Sequence, residues 1–434
     1  MTDVIKNSTR RTILKSASSA AILTAARALV PGGAWAQTQG GPETNTVTLG
    51  FIALTDSSPL IIAKEKGMFA KHGLTDVKLA KQASWGTTRD NIELGGARGG
   101  IDGAHILTPM PYLMSAGKVT KGGKLPMNIL ARLNTNGQAI SVSKYYQNMG
   151  VGLDSSKMKP VFAKMRQNGN DPKVAVTFPG GTHDLWMRYW LAAGGIDPDK
   201  DVSTIVVPPP QMVANMKVKT MEAFCVGEPW NAQLVNQGIG FTALTTGELW
   251  HDHPEKTLAV RGDWADKNPK AAKALTMAVM EAQRWCDNPQ NRKELCDIVA
   301  RREYFKVPVD DIIGRTSGSI DYGNGRKVDN FPQLMKFWNN FASYPFQSHE
   351  SWFIAEDMRW GFLPPDTDIN AMVKAVNRED IWRDAAKALG VREAEIPKST
   401  SRGVEKFFDG KTFDPANPKA YLASLKIKRL SVGG

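Results

Sequence analysis

Short apolar runs along this chain end in turns rich in Gly, Ser, Thr or Pro and then pass into segments of helical spacing. Val47–Leu54 reads as a strand, and Thr55-Asp56-Ser57-Ser58-Pro59 follows as a turn in which Pro59 suits the first helical position. Leu60, Ile61 and Ala63 supply the apolar face of a helix expected to end near Gly67. Val77–Lys81 alternates apolar and polar positions and predicts a second strand. Asn91–Leu94 reads as the first turn of the next helix, with Thr87, Thr88 or Asp90 available as caps. Ile101–Ile106 is a short strand or turn, a helix starts near Pro109, and Asn128–Leu133 and Ala139–Ser143 are two more strands. Strands alternating with helices imply an α/β fold whose mainly parallel sheet is covered on both faces.

A second unit begins near Ser143 and repeats this logic. Val174–Phe178 is a strand, 179–183 a Gly-containing turn, and 184–193 a helix that stops at Gly194-Gly195. Val202–Val207 is a further strand, Gly240–Leu244 precedes a loop that holds His251 and His253, and Lys256–Val260 is a strand expected back in the first unit. Pro269–Asp287 has strong amphipathic helical spacing, and the tail from about Pro345 is mixed and Trp-containing.

The first 36 residues change the picture of where the protein works. Twin arginines, Arg10 and Arg11, precede a modest apolar stretch from Ala17 to Val30, and Ala34-Trp35-Ala36 fits small-x-small cleavage after Ala36. The reading is a twin-arginine signal peptide and a mature chain from Gln37 in a bacterial periplasm. That leader carries a net +4 of the whole-chain +12, leaving +8 for the mature chain, a balance that favours anionic ligands or surfaces. Basic and acidic residues are interspersed, which argues against nucleic acid. Cys225, Cys286 and Cys296 fit no zinc or iron–sulfur spacing; a Cys286–Cys296 disulfide is one option, and buried free thiols are favoured over it.

Candidate chemistry concentrates at Ser84–Asn91. A strand that runs into a helix start leaves several backbone N–H groups aimed at one spot, with the positive end of the helix dipole behind them. Gly86 permits close approach and Trp85 adds an indole donor on a flat apolar wall, parts that suit a small oxyanion. The same octapeptide also fits a core tryptophan ahead of an ordinary helix cap. His251-x-His253 beside Glu255 has the look of a metal pair but reads better as a solvated loop, and His72 and His105 read as fold histidines. Glu228 either lines a cleft, ordering Lys256 or His183, or caps a helix. Trp338, Trp352, Trp360 and Trp382 read as core packing. No nucleophile elbow, His-Glu-x-x-His, Walker A loop or cofactor motif occurs, so neither catalysis, cofactor nor metal is expected.

Seven stretches in order resemble the nitrate- and bicarbonate-binding proteins of bacterial ABC importers: 49–60, 67–74, 83–91, 103–105, 180–186, 227–231 and 256–260. The resemblance runs from about residue 46 beyond 400. It implies a two-lobed periplasmic binding protein (type II-like) with two hinge crossovers and an elaborated C-terminal segment. The expected division is 37–142 as the first part of lobe I, 143–255 as lobe II, and 256–434 as the remainder of lobe I with the elaboration. The resemblance further implies anion contacts from the Trp85 indole, the Gly86 backbone, the Gln138 amide, His183 and Lys256. It implies a monomer that delivers nitrate or nitrite to a membrane permease and its ATPase. The bicarbonate branch is thought to use calcium, with an acid where this chain has Lys256, so lysine there favours nitrate or nitrite. Bicarbonate, a sulfonate or cyanate is the alternative ligand, and a nitrate sensor or an exported enzyme the alternative role.

Overall fold

In the computed structural model, which describes residues 40–430, the first apolar run becomes strand β1 (Thr46–Phe51). It pairs in parallel with β2 (Asp76–Lys81) on one side and β3 (Gly103–Leu107) on the other, Leu49 lying opposite Leu79 and Gly103. Between β1 and β2, helix α1 (Ser58–Glu65) starts with Pro59 in its first turn and buries Leu60, Ile61, Ile62 and Ala63. The expected leader over 1–36 lies outside the described residues, and those from Pro42 onward form one compact unit.

Helix α2 spans Trp85–Leu94, so the expected start at Asn91 is corrected to Trp85. The cap is Ser84, extended in backbone, whose Oγ accepts the Thr87 N–H at 3.1 Å. Trp85, Thr88 and Ile92 form its buried face, a helical spacing that outweighs the cap chemistry of Thr87 and Thr88. Helix α3 (Pro109–Ser115) then leads to β4 (Met127–Arg132).

The chain crosses to a second sheet through 133–137. Strand β5 (Gln138–Ser143) pairs there with β8 (Ala223–Gly227) and β9 (Gly240–Thr245), so the expected division at 142/143 falls on the wrong side of this strand. That sheet has the order β7-β6-β8-β5-β9, with β6 at Lys173–Val176 and β7 at Ser203–Val206. Helix α4 (Thr182–Ala193) follows β6, which moves His183 from the expected turn into a helix's first turn. Helix α5 (Trp230–Asn236) follows β8. The chain returns through 246–255 to β10 (Lys256–Arg261), which inserts antiparallel between β3 and β4 to give the order β2-β1-β3-β10-β4.

Each sheet therefore receives one antiparallel strand from a crossover. The first residues of those strands, Gln138 and Lys256, arrive beside the carboxyl ends of the parallel strands, the edge at which open α/β sheets bind ligands. The rest of the chain holds this arrangement from outside. Helix α6 (Pro269–Asp287) packs on α1. Helix α7 (Asp310–Thr316) leads into a hairpin, Ile320–Asp321 with Lys327–Val328, attached to the edge of β9 by the Thr242 N–H donating to the Tyr322 carbonyl at 2.8 Å. Ile320, Tyr322 and Phe331 make a small apolar cluster separate from the main core. Helix α8 (Gln347–Arg359) packs against both α3 and α4, and Trp352 stacks on Trp186 at 4.8 Å with Trp250 edge-on to both. Trp338, Trp352, Trp360 and Trp382 are all buried. Cys225, Cys286 and Cys296 are buried and free. Among the described residues no helix is long and apolar enough to cross a membrane.

Gly103 is the tightest point of the first sheet, because a Cβ there would lie 2.5 Å from the Ala259 carbonyl and 2.6 Å from Val260 Cγ1. Gly103→Ala is expected to cost about 1–3 kcal/mol through overpacking, read as a lower urea midpoint with an unchanged m-value.

Candidate anion site

The turn after β1 places Asp56 in a fully buried position from which its carboxylate collects three donors: His105 Nε2 at 2.5 Å, Gln138 Nε2 at 3.0 Å and Lys256 Nζ at 3.1 Å. Burial would raise this carboxyl, but Lys256 and His105 more than offset it and hold Asp56 below the usual carboxylate range. The next residue back along the second crossover, Glu255, is also fully buried. Its Oε1 accepts the Trp186 indole N–H at 2.6 Å, and its Oε2 accepts Lys256 Nζ at 2.6 Å and the Thr182 hydroxyl at 2.9 Å. Burial raises the Glu255 carboxyl, opposed by Lys256. Burial also works against the Lys256 ammonium, yet Asp56 and Glu255 carry its pKa above the ordinary lysine value.

Of the five residues implied by the resemblance, Gln138, His183 and Trp85 lie around the Lys256 ammonium, and Gly86 follows Trp85 in the first turn of α2. Lys256 Nζ is 3.4 Å from Gln138 Oε1, 3.5 Å from His183 Nε2 and 5.9 Å from the centre of the Trp85 ring. An ionised Asp56 accepts only, so it fixes the Gln138 amide with the nitrogen towards Asp56 and the oxygen towards Lys256 and His183. His183 then carries its proton on Nε2, donating to Gln138 Oε1 at 2.7 Å, while Nδ1 accepts from the Thr177 hydroxyl at 2.5 Å. Burial and the adjacent Lys256 hold His183 neutral, its pKa well below the usual value. The amide nitrogen of Gln138 thus has one N–H engaged by Asp56 and one left for a ligand.

Trp85 is fully buried, its ring 5.3 Å from that of His105, and its Nε1 has no hydrogen-bond partner. A buried indole N–H without an acceptor costs free energy, about 1–3 kcal/mol, unless something supplies one. Gly86 lies in the first turn of α2, where the backbone N–H has no intrahelical acceptor, and a Cβ there would touch nothing nearer than Ser84 Oγ at 3.7 Å. The arrangement offers a desolvated acceptor group two neutral donors, a helix N-terminus and one ammonium.

Reading the sequence alone missed Asp56, Glu255, Thr182 and Thr177, and treated His105 as a fold histidine although it donates to Asp56. Glu228 serves Arg315 at 2.7 Å and the Ala232 N–H at 3.1 Å, the helix-capping alternative, and orders neither Lys256 nor His183. His251 is exposed, whereas His253 is buried against Trp186 and paired with the Thr246 hydroxyl at 2.7 Å, so the expected solvated loop is corrected at that position. No group of three or more His, Cys, Asp or Glu among the described residues is placed to hold a metal ion. Beside the site, Thr55, Gln138, Glu228, Arg315, Phe331 and Met335 line a cavity beneath the hairpin.

Residues 40–300 match the family model described as the NMT1-like family. The chain belongs to that family. This NMT1-like protein is 62% identical over 393 residues to the nitrate/nitrite binding protein NrtA of Synechocystis sp., covering 90% of this chain and 87% of that one. It is 44% identical over 396 residues to the bicarbonate-binding protein CmpA of Synechococcus elongatus, covering 89% and 88%. The crystal structure of the periplasmic nitrate-binding protein NrtA from Synechocystis matches it with a TM-score of 0.88 at 62% identity, over 89% of this chain and all (100%) of that one. The fold is therefore the two-lobed, type II-like α/β architecture of a periplasmic binding protein, elaborated at its C-terminal end.

Two outcomes follow from the buried charges. Lys256→Met leaves Asp56 and Glu255 without their cation and is expected to destabilise by about 3–5 kcal/mol at neutral pH, measured by denaturant titration. His105, His183, His253 and His349 are all pushed down by burial, the last two to about 3. The unfolded chain then binds protons first as pH falls. Wild-type stability should be full above about pH 6.5 and decline below it, by up to about 1.4 kcal/mol per pH unit for each histidine, as followed by thermal melts.

Proposed function

We propose that the protein is a periplasmic binding protein that captures nitrate or nitrite between its two sheets and delivers it, as a monomer, to the permease and ATPase of an ABC importer. The observation that carries this reading is the partnerless Trp85 Nε1, fully buried and beside Lys256. A planar monoanion with weak acceptor oxygens satisfies the indole, the Gly86 amide and the free N–H of Gln138 while lying against the ammonium. The identity to relatives named for nitrate and nitrite supports the same ligand. Export through the twin-arginine leader, with cleavage after Ala36, completes the route to the periplasm.

The two crossovers are the hinge of this reading. Bonds that span the sheets include the Thr55 N–H to the Glu228 carbonyl at 2.8 Å and the Trp230 indole N–H to the Ala53 carbonyl at 3.0 Å. Contacts made by the anion to Trp85 and Gly86 on one side and to the free N–H of Gln138, which His183 holds in place, on the other add to these and favour the closed form.

Bicarbonate is the second reading, favoured by the relative named for it. A calcium-assisted bicarbonate site needs oxygen ligands around a dication, and the Lys256 ammonium occupies that ground. Calorimetric titration of residues 37–434 with nitrate, nitrite, and bicarbonate with and without calcium decides between them. Nitrate or nitrite is expected to bind, with affinity lowered at least about tenfold in Trp85→Phe, which removes the indole donor and keeps an aromatic wall. Binding of bicarbonate alone, and only with calcium, would overturn the reading.

A further inference from the structure

The anion site holds more negative than positive charge before any ligand arrives. Among the described residues Lys256 is the cation in contact with it, and both Asp56 and Glu255 lie within 3.1 Å of the ammonium with no side-chain exposure. His105 and His183, the other titratable groups facing the site, are kept neutral by burial. These groups have no exposed surface, so salt screens them far less than it screens surface charges. The donors left for a ligand, the Trp85 indole and the first-turn amides of α2, are neutral.

We infer that Asp56 and Glu255 are specificity-determining residues: by neutralising Lys256 from behind, they make the site accept monoanions and turn away dianions such as sulfate. This rests on the anion-binding reading above. Two pieces of physics support it. The desolvation cost of an ion rises with the square of its charge, so a dianion needs far more compensation than neutral donors give. A dianion also meets the two carboxylates with twice the repulsion, in a buried site where charges act more strongly than in water. A bare lysine would reward the dianion; a lysine held by two carboxylates does not. If the carboxylates served only to position the ammonium, neutralising one of them would leave the choice between anion valences unchanged.

Glu255→Gln is the informative variant. Its side-chain oxygen can still accept the Trp186 indole and its amide N–H can donate to the Thr182 hydroxyl; the amide nitrogen replaces the oxygen that accepted Lys256, whose ammonium then rests on Asp56 and the Gln138 oxygen. The measurement is displacement of nitrate by sulfate and by perchlorate, which are tetrahedral alike and differ in charge. In the variant, sulfate is expected to displace nitrate at concentrations at least about tenfold lower than in wild type, with perchlorate little changed. Asp56→Asn removes the other negative charge and serves the same test if Glu255→Gln does not fold. Unchanged sulfate competition in a folded, nitrate-binding variant overturns the inference. So does equal improvement for both tetrahedral anions, which signals a loosened site, or loss of nitrate binding in a folded variant, which signals positioning alone. Failure of the wild type to bind nitrate at all would instead remove the functional reading itself.

Discussion

One ammonium shared by two buried carboxylates joins the parts of this molecule. Asp56 comes from the turn after β1, Glu255 from the second crossover, Lys256 from the start of β10, Gln138 from the second sheet and His183 from α4 packed on that sheet. Each group alone would be expensive to bury, and together they satisfy one another. The crossovers matter because they deliver Gln138 and Lys256 as the first residues of β5 and β10, where a one-residue slip would turn either side chain to the opposite face. Pairing across the sheets thus makes fold and site one problem in electrostatics.

Much of this was visible in the linear chain, for a physical reason. Trp85, His183 and Lys256 each sit where an apolar run meets a turn or begins again, and hydrophobic periodicity locates such boundaries well. The start of α2 was misjudged because Thr87, Thr88 and Asp90 are all competent caps and compete with Ser84, the cap observed; the buried spacing of Trp85, Thr88 and Ile92 was the better guide. The sheet that receives β5 was misassigned because an alternating strand carries no local mark of its partners. Glu255 was read against its neighbour histidines in sequence, whereas its partners Thr182 and Trp186 lie about seventy residues earlier on α4. Side-chain pairing across a crossover is a tertiary fact, and periodicity has no access to it.

The C-terminal segment is part of the same design. Helix α8 touches α3 beside the first sheet and α4 beside the second, and its Trp352 stacks on Trp186, whose indole N–H holds Glu255. Aromatic packing at the back of the molecule therefore fixes the orientation of a carboxylate at its centre. A second route runs from Arg132, which bonds the Thr108 hydroxyl and Glu350 of α8, to the Glu255 carbonyl through Thr108. The elaboration beyond the two sheets is a brace for the charged cluster.

The hairpin over the cavity beside Gln138 stands apart from this brace. Ile320, Tyr322 and Phe331 pack among themselves, and polar ties hold the hairpin back: the Thr242 N–H to the Tyr322 carbonyl, the Tyr322 hydroxyl and Arg326 to Glu248, and the Gln147 amide to the Gly323 carbonyl. These ties, and not burial in the main core, hold it, so its local stability is set apart from that of the core. Amide protons of the hairpin should then exchange with solvent on a schedule of their own, giving the protein two separate clocks, one for this small cluster and one for the core.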